Sequence, residues 1–185
     1  MKAALILPTL IAMLVPFPTL SFQTKAPTYF VDKGACPFEC CAYGKWKTAV
    51  TTVAYARPDK RSKRIGKLKA GSKVTALTGQ VQTTPSRFVV KKPHERYKPG
   101  DVIWVYTYLG EGLFKVWFNG KMYEENLEFS PYGGSMGKRC EVDNLCWGEL
   151  DKDLQMTWWI KIKSPDGWIG WTNQGEHFSG ADLCG

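Results

Sequence analysis

The residues able to do chemistry are few, and their spacing says more about scaffold than reaction. The six cysteines are Cys36, Cys40, Cys41, Cys140, Cys146 and Cys184; the two histidines are His94 and His177. A metal site is poorly served, because paired C-x-x-C spacing is absent and nitrogen ligands are limited to those two histidines. A nucleophilic site is no better served. Ser135 lies in Gly133-Gly134-Ser135-Met136-Gly137, which matches G-x-S-x-G by letter but has no strand-to-helix setting around it. Glu111, Glu124, Glu125 and Glu128 supply carboxylates for an acid/base pair, yet sequence alone sets no separation between them. No metal and no cofactor is expected.

An even number of cysteines in a small exported chain reads as up to three disulfides. Cys40 and Cys41 would form a strained ring if paired together, so each is expected to take a distant partner. Cys140 and Cys146 would close a local loop, and Cys184 would fasten the C-terminus to the Cys36–Cys41 region. Export itself is read from residues 1–26. Lys2 precedes an uncharged apolar run, Ala3 to Val15, broken by Pro16 and Pro18 before the small residues Thr19 and Ser21. That is a signal-peptide pattern with cleavage near Ser21 or Ala26, and the run is too short for a comfortable membrane span. The expected location is secreted or periplasmic, with no membrane association after cleavage.

The elements that must position these residues are strands. The 185 residues carry 44% hydrophobic and 14% aromatic side chains with eight Trp, and a net charge of +8. This composition builds a β-rich core and argues against disorder. The charge permits binding to anionic surfaces without establishing it. Thr157 to Thr172, TWWIKIKSPDGWIGWT, reads as two strands about a Pro165-Asp166-Gly167 turn. Trp158, Ile160 and Ile162 fall on one face, and Trp159, Lys161 and Lys163 on the other. Such a ribbon cannot bury its indoles alone, so earlier strands must cover it.

Trp46 to Tyr55 reads as one strand. Arg57-Pro58-Asp59 opens a loop with Lys60, Arg61, Lys63 and Arg64, and strands follow at Ile65–Leu68 and Ser72–Leu77 about an Ala70-Gly71 turn. A second copy of a similar β unit is expected over 80–128, where Val102–Tyr106 and Leu113–Phe118 alternate and Asn119-Gly120 marks a type I′ turn. Few stretches look helical, and Glu124 to Glu128 is too short to matter. Ile103, Val105, Val116 and Phe118 would point inward, leaving Trp104, Tyr106, Tyr108 and Trp117 on an outer face. That face is either a platform for sugar or peptide or a packing surface between units.

The blocks VAYARPDKRSKRIGKLKAGSKVTALTG and WWIKIKSPDGWIGWT resemble the bacterial SH3-like domain family. Ile65, Gly66, Leu68, Gly71 and Val74 match its first motif; Trp159, Lys161, Gly167, Gly170 and Trp171 match its closing one. The chain departs from the family in Arg57-Pro58-Asp59 and in the long insertion from Gln80 to Met156. The resemblance implies an all-β protein of two small antiparallel barrels, one nested as an insertion within the other and stapled by disulfides. Its parts would be a signal peptide (1–26), a Cys-rich segment (27–44), a discontinuous barrel (45–79 with 157–173), the nested unit (80–128), a Cys-containing loop (129–156) and a tail (174–185). It further implies a non-catalytic binding module, with ligand-binding residues Tyr55, Arg57, Trp159 and Trp171 beside the first long loop. The partner would be a cell-wall peptide or glycan, or another envelope protein, and not nucleic acid. The alternative is a small cell-wall hydrolase using carboxylates or His177 in a cleft between barrels.

Overall fold

A computed structural model describes residues 25–128 and 146–182 of the chain. Its organising element is β5 (Lys73–Thr84), a strand of 12 residues. Along one edge of β5 pair β1 (Phe30–Lys33) and β2 (Gly44–Thr48), one after the other. Along the opposite edge β11 (Gln155–Lys163) pairs from Thr84 to Thr75. β12 (Ile169–Thr172) returns from β11 and meets β3 (Thr52–Tyr55) at Trp171 and Tyr55. β4 (Arg64–Leu68) and β13 (Phe178–Ser179) complete an eight-stranded antiparallel sheet that curls into a half-barrel.

The second sheet is β6 (Ser86–Val90), β7 (Val102–Gly110), β8 (Leu113–Phe118), β9 (Lys121–Asn126) and β10 (Gly148–Leu150), in the order β10-β6-β7-β8-β9. It is spliced between β5 and β11 of the first. The protein is therefore all-β, with one antiparallel unit nested inside another. Each sheet owns a core. Trp46, Ala54, Leu68, Val74, Ile160 and Ile162 fill the half-barrel, and Phe88, Ile103, Val105, Phe114, Val116 and Trp147 fill the other.

The turns follow from their residues. Asn119 and Gly120 both take positive φ, 46° and 85°, as a type I′ turn requires. Gly167 takes φ 88° in the β11–β12 hairpin, where Ser164 donates its amide to the Trp168 carbonyl.

Several expectations need correction. The run Trp46 to Tyr55 is two strands, broken at residues 49–51, because Thr48 and Thr52 pair with different neighbours. Gln80 to Thr84 continue β5 in the first sheet rather than starting the nested unit. Within the expected Cys-containing loop, residues 148–150 form an edge strand. The tail is partly structured, since β13 pairs with β2. Glu124 and Glu125 are strand residues opposite Lys115 and Phe114.

The cysteine reading also changes. Cys36 is bonded to Cys41, five residues on, so Cys41 has a local partner and not a distant one. Cys40 and Cys146 are disulfide-bonded as well. Cys140 and Cys184, the proposed signal peptide through residue 24, and Ser135 lie outside the described residues.

Candidate functional site

Period-two geometry sends the two central indoles of β11 to opposite faces, and each face carries an opening. On the inner side, Trp158 packs edge-on against Phe38 at 5.5 Å and against Trp46 at 5.9 Å. Its indole N–H donates to the Tyr43 hydroxyl at 3.3 Å, which donates to the Ala35 carbonyl at 2.8 Å. Burial raises the Tyr43 phenol, so it stays a proton donor. Gly175 has no side chain because one would press into the Trp158 ring, 2.6 Å from its Cζ3.

Around this indole opens a cleft of about 960 Å³. Phe38 of the Cys36–Cys41 ring forms one wall, and Leu154 and Met156 form another. Asn173, Glu176 and Phe178 line the C-terminal side. Leu154 and Met156 also pack on the core of the nested sheet, while Phe38 and Trp158 pack on the half-barrel core. The cleft therefore sits between the two units. Its volume falls in the usual range for small-ligand sites, and its mixed apolar wall and polar rim are what such sites show.

On the outer side, Trp159 meets Tyr55 edge-on at 5.9 Å. The loop after β3 folds over β5, where Gln82 Nε2 donates to the Pro58 carbonyl at 2.9 Å. The result is a smaller groove of about 460 Å³, lined by Tyr29, residues 58–61, Gln82, Thr157 and Trp159. Thr157 lines both openings. Asp59 is held by Arg61, whose guanidinium and amide both donate to it and draw its carboxyl below the usual range. Burial and the Asp59 charge raise the Tyr29 phenol.

The residues nominated from sequence are thus partly brought together. Tyr55 and Trp159 touch, but Trp159 is 2% exposed and makes a floor rather than a stacking surface. Arg57 is exposed in the same loop, and Trp171 is half-buried opposite Tyr55 with the Lys161 ammonium 5.9 Å from its ring.

The expected outer stripe of Trp104, Tyr106, Tyr108 and Trp117 does not exist as a stripe. An irregularity between Val105 and Tyr108 shifts the β7 register, and Tyr108 turns into the nested core beside Phe114. Tyr106 is fully buried between the units, packed on Phe30 at 5.0 Å and donating its hydroxyl to the Pro27 carbonyl at 2.8 Å. Trp104 and Trp117 remain half-exposed cross-strand neighbours.

The reactive candidates are tied into structure. His177 Nδ1 lies 3.1 Å from Thr52 Oγ1; Thr52 is fully buried, and its hydroxyl donates to the Val50 carbonyl. His94 stacks on Trp147 at 4.2 Å. Glu125, 7% exposed, accepts the Tyr97 hydroxyl at 2.6 Å and lies 3.5 Å from the Arg96 guanidinium. Glu111 donates its amide to Glu39 and its side chain is exposed, as is that of Glu124. Among the described residues no cluster of three His, Cys, Asp or Glu is placed to hold a metal ion.

Phe38, Met156 and Glu176 were missed by sequence reasoning. They come from three distant segments, and only tertiary pairing joins them. Compared with known proteins, the chain matches no family model, no curated protein and no solved structure.

Proposed function

We propose that the protein is an exported, SH3-like binding module that takes an amine-bearing cell-envelope peptide in the cleft around Trp158. One observation carries the reading: the two units jointly build an aromatic cleft of about 960 Å³, with the Glu176 carboxylate 73% exposed on its rim. Aromatic and aliphatic walls take up the apolar part of a ligand, while a few polar groups fix its orientation. A carboxylate at the rim favours an ammonium over an acidic ligand.

The SH3-like assignment is supported by the placement of motif glycines. Gly66 lies against the Trp168 ring, and Gly170 against Ile65 and the Tyr55 carbonyl. These are crossings that a tightly curled small barrel requires. Of the two signal cleavage positions, Ser21 suits the packing better, because Ala26 is buried and Pro27 accepts the Tyr106 bond.

The test is retention on purified peptidoglycan, with soluble fragments assayed in the same tubes. Phe38→Ala and Glu176→Gln should each weaken retention by ~10-fold, roughly 1.4 kcal/mol, with the thermal midpoint little changed. Release of soluble fragments that disappears with His177→Ala would replace this reading by the hydrolase. Undiminished retention in both cleft variants would place the site elsewhere.

A further inference from the structure

Strand register sorts the charges of the half-barrel with unusual completeness. Pairings align Lys33 with Gln80, Lys45 with Thr75 and Lys163, Lys47 with Lys73, Lys67 with Val53, and Arg64 with Tyr55, Trp171 and Lys161. All eight cations point away from the core, since their strand neighbours Trp46, Val74, Ile160, Ile162 and Leu68 are the buried set. The acid on these seven strands is Asp32, and it faces inward to Lys115. Seven of the eight are exposed and Lys161 is half-buried. No ion pair among the described residues involves any of them.

We infer that this convex face docks a linear phosphate polymer of the cell envelope. The inference rests on the export reading but not on the cleft, which lies on the other side of β11. Lysines two apart on a strand stand roughly 6.7 Å from one another, and adjacent strands are about 4.8 Å apart, so the cations form a lattice along which a flexible chain finds successive contacts. Seven of the eight are lysines, point charges that need no fixed bidentate geometry. A bilayer would touch a convex sheet along little more than a line, and the exposed apolar residues Leu77 and Ile169 are too few to anchor it. Single-stranded nucleic acid would look for a ladder of exposed aromatics, whereas on this side Tyr29 lies in the groove by residues 58–61 and the half-buried Trp171 lies by Lys161, with Trp159 buried.

The experiment is anisotropy of labelled long-chain inorganic polyphosphate against the mature protein over a salt series. Binding should weaken steeply with salt, and Lys45→Glu/Lys47→Glu/Lys73→Glu should weaken it at least ~10-fold. The charge-matched control Lys98→Glu/Lys121→Glu/Lys152→Glu, away from this face, should change it by less than ~2-fold. A melting curve checks folding, and Lys33→Glu/Lys163→Glu serves as a second outer-face variant should the first unfold. Equal weakening by both triple variants would reduce the effect to net charge and overturn the proposal. So would absence of polyphosphate binding at low salt. Stronger retention on vesicles of phosphatidylcholine and phosphatidylglycerol in equal parts would overturn the polymer as occupant in favour of a membrane.

Discussion

Lys115 of the nested sheet reaches across to Asp32 of the half-barrel, its Nζ 2.7 Å from Oδ2 and 2.9 Å from Oδ1. The carboxylate is 9% exposed, and Oδ2 has no other polar partner. This pair, with Tyr106 on Phe30, ties the units together. Removing the cation strands a buried charge, which costs more than the net contribution of the pair. Lys115→Met should therefore destabilise by about 1–3 kcal/mol, and Asp32→Asn in the same chain should restore part of it. Urea midpoints of the two singles and the double close the cycle. Additive losses would show that the contact does not couple the units.

Alkaline pH should weaken the fold through buried phenols. Burial pushes Tyr106 up to about 12. Burial, then the hydrogen bond to Glu125, raises Tyr97 further. Unfolded phenols ionise at about 10. Above that pH the unfolded chain binds fewer protons than the folded one, so stability falls as pH rises. The contribution is complete below about 10 and fades from there up through about 12 for Tyr106. Tyr106→Phe should reduce the alkaline slope by at most about 1.4 kcal/mol per pH unit. It should also cost about 1 kcal/mol at neutral pH from the lost Pro27 bond. An unchanged alkaline slope in this variant would contradict the assignment.

Much of the scaffold was legible because its signals are local. Pro165-Asp166-Gly167 and Asn119-Gly120 announce their turns, and strict alternation puts Ile160 and Ile162 inside. What local pattern does not carry is register change. The shift between Val105 and Tyr108 reverses one tyrosine and takes Tyr108 out of the expected aromatic stripe. Nor does it carry assembly. Tyr106 was readable as outward-facing, but that the outward face meets Phe30 depends on β1 pairing with β5 about fifty residues later in the chain. Tyr55 and Trp159, which touch each other, both sit in family-like blocks; Phe38 and Glu176 have no such marker.

The Cys36–Cys41 bond should matter more for the cleft than for the fold. Its ring carries Phe38 toward Trp158 and sets Glu39 to accept the Glu111 amide at 2.7 Å. Closing so short a loop constrains the unfolded chain little, contributing about 2 kcal/mol in the chain-entropy model. Cys36→Ser/Cys41→Ser should thus lower stability by about that amount. It should weaken retention on peptidoglycan to the degree Phe38→Ala does. Full retention with the ring open would remove Phe38 from the proposed site.

Sequence motif and geometry meet at Gly66 and Trp168. A methyl group on Gly66 would enter the Trp168 ring, contacting Cζ2, with Cε2 at 2.7 Å and Cη2 at 2.8 Å. The indole is half-buried and packed on the half-barrel core, so it has little room to retreat. Gly66 takes no positive φ, so alanine there suffers no backbone strain and the clash acts alone. Gly66→Ala should cost about 1–3 kcal/mol, the usual range for overpacking. In a Trp168→Leu background the same change should cost well under half as much, because the clashing atoms are gone. The coupling between the two sites should reach about 1 kcal/mol or more, as expected for residues in contact. If Gly66→Ala is equally costly in both backgrounds, the close approach of β4 to the hairpin is not what demands the glycine. Gly66 then gives no packing support to a curled barrel.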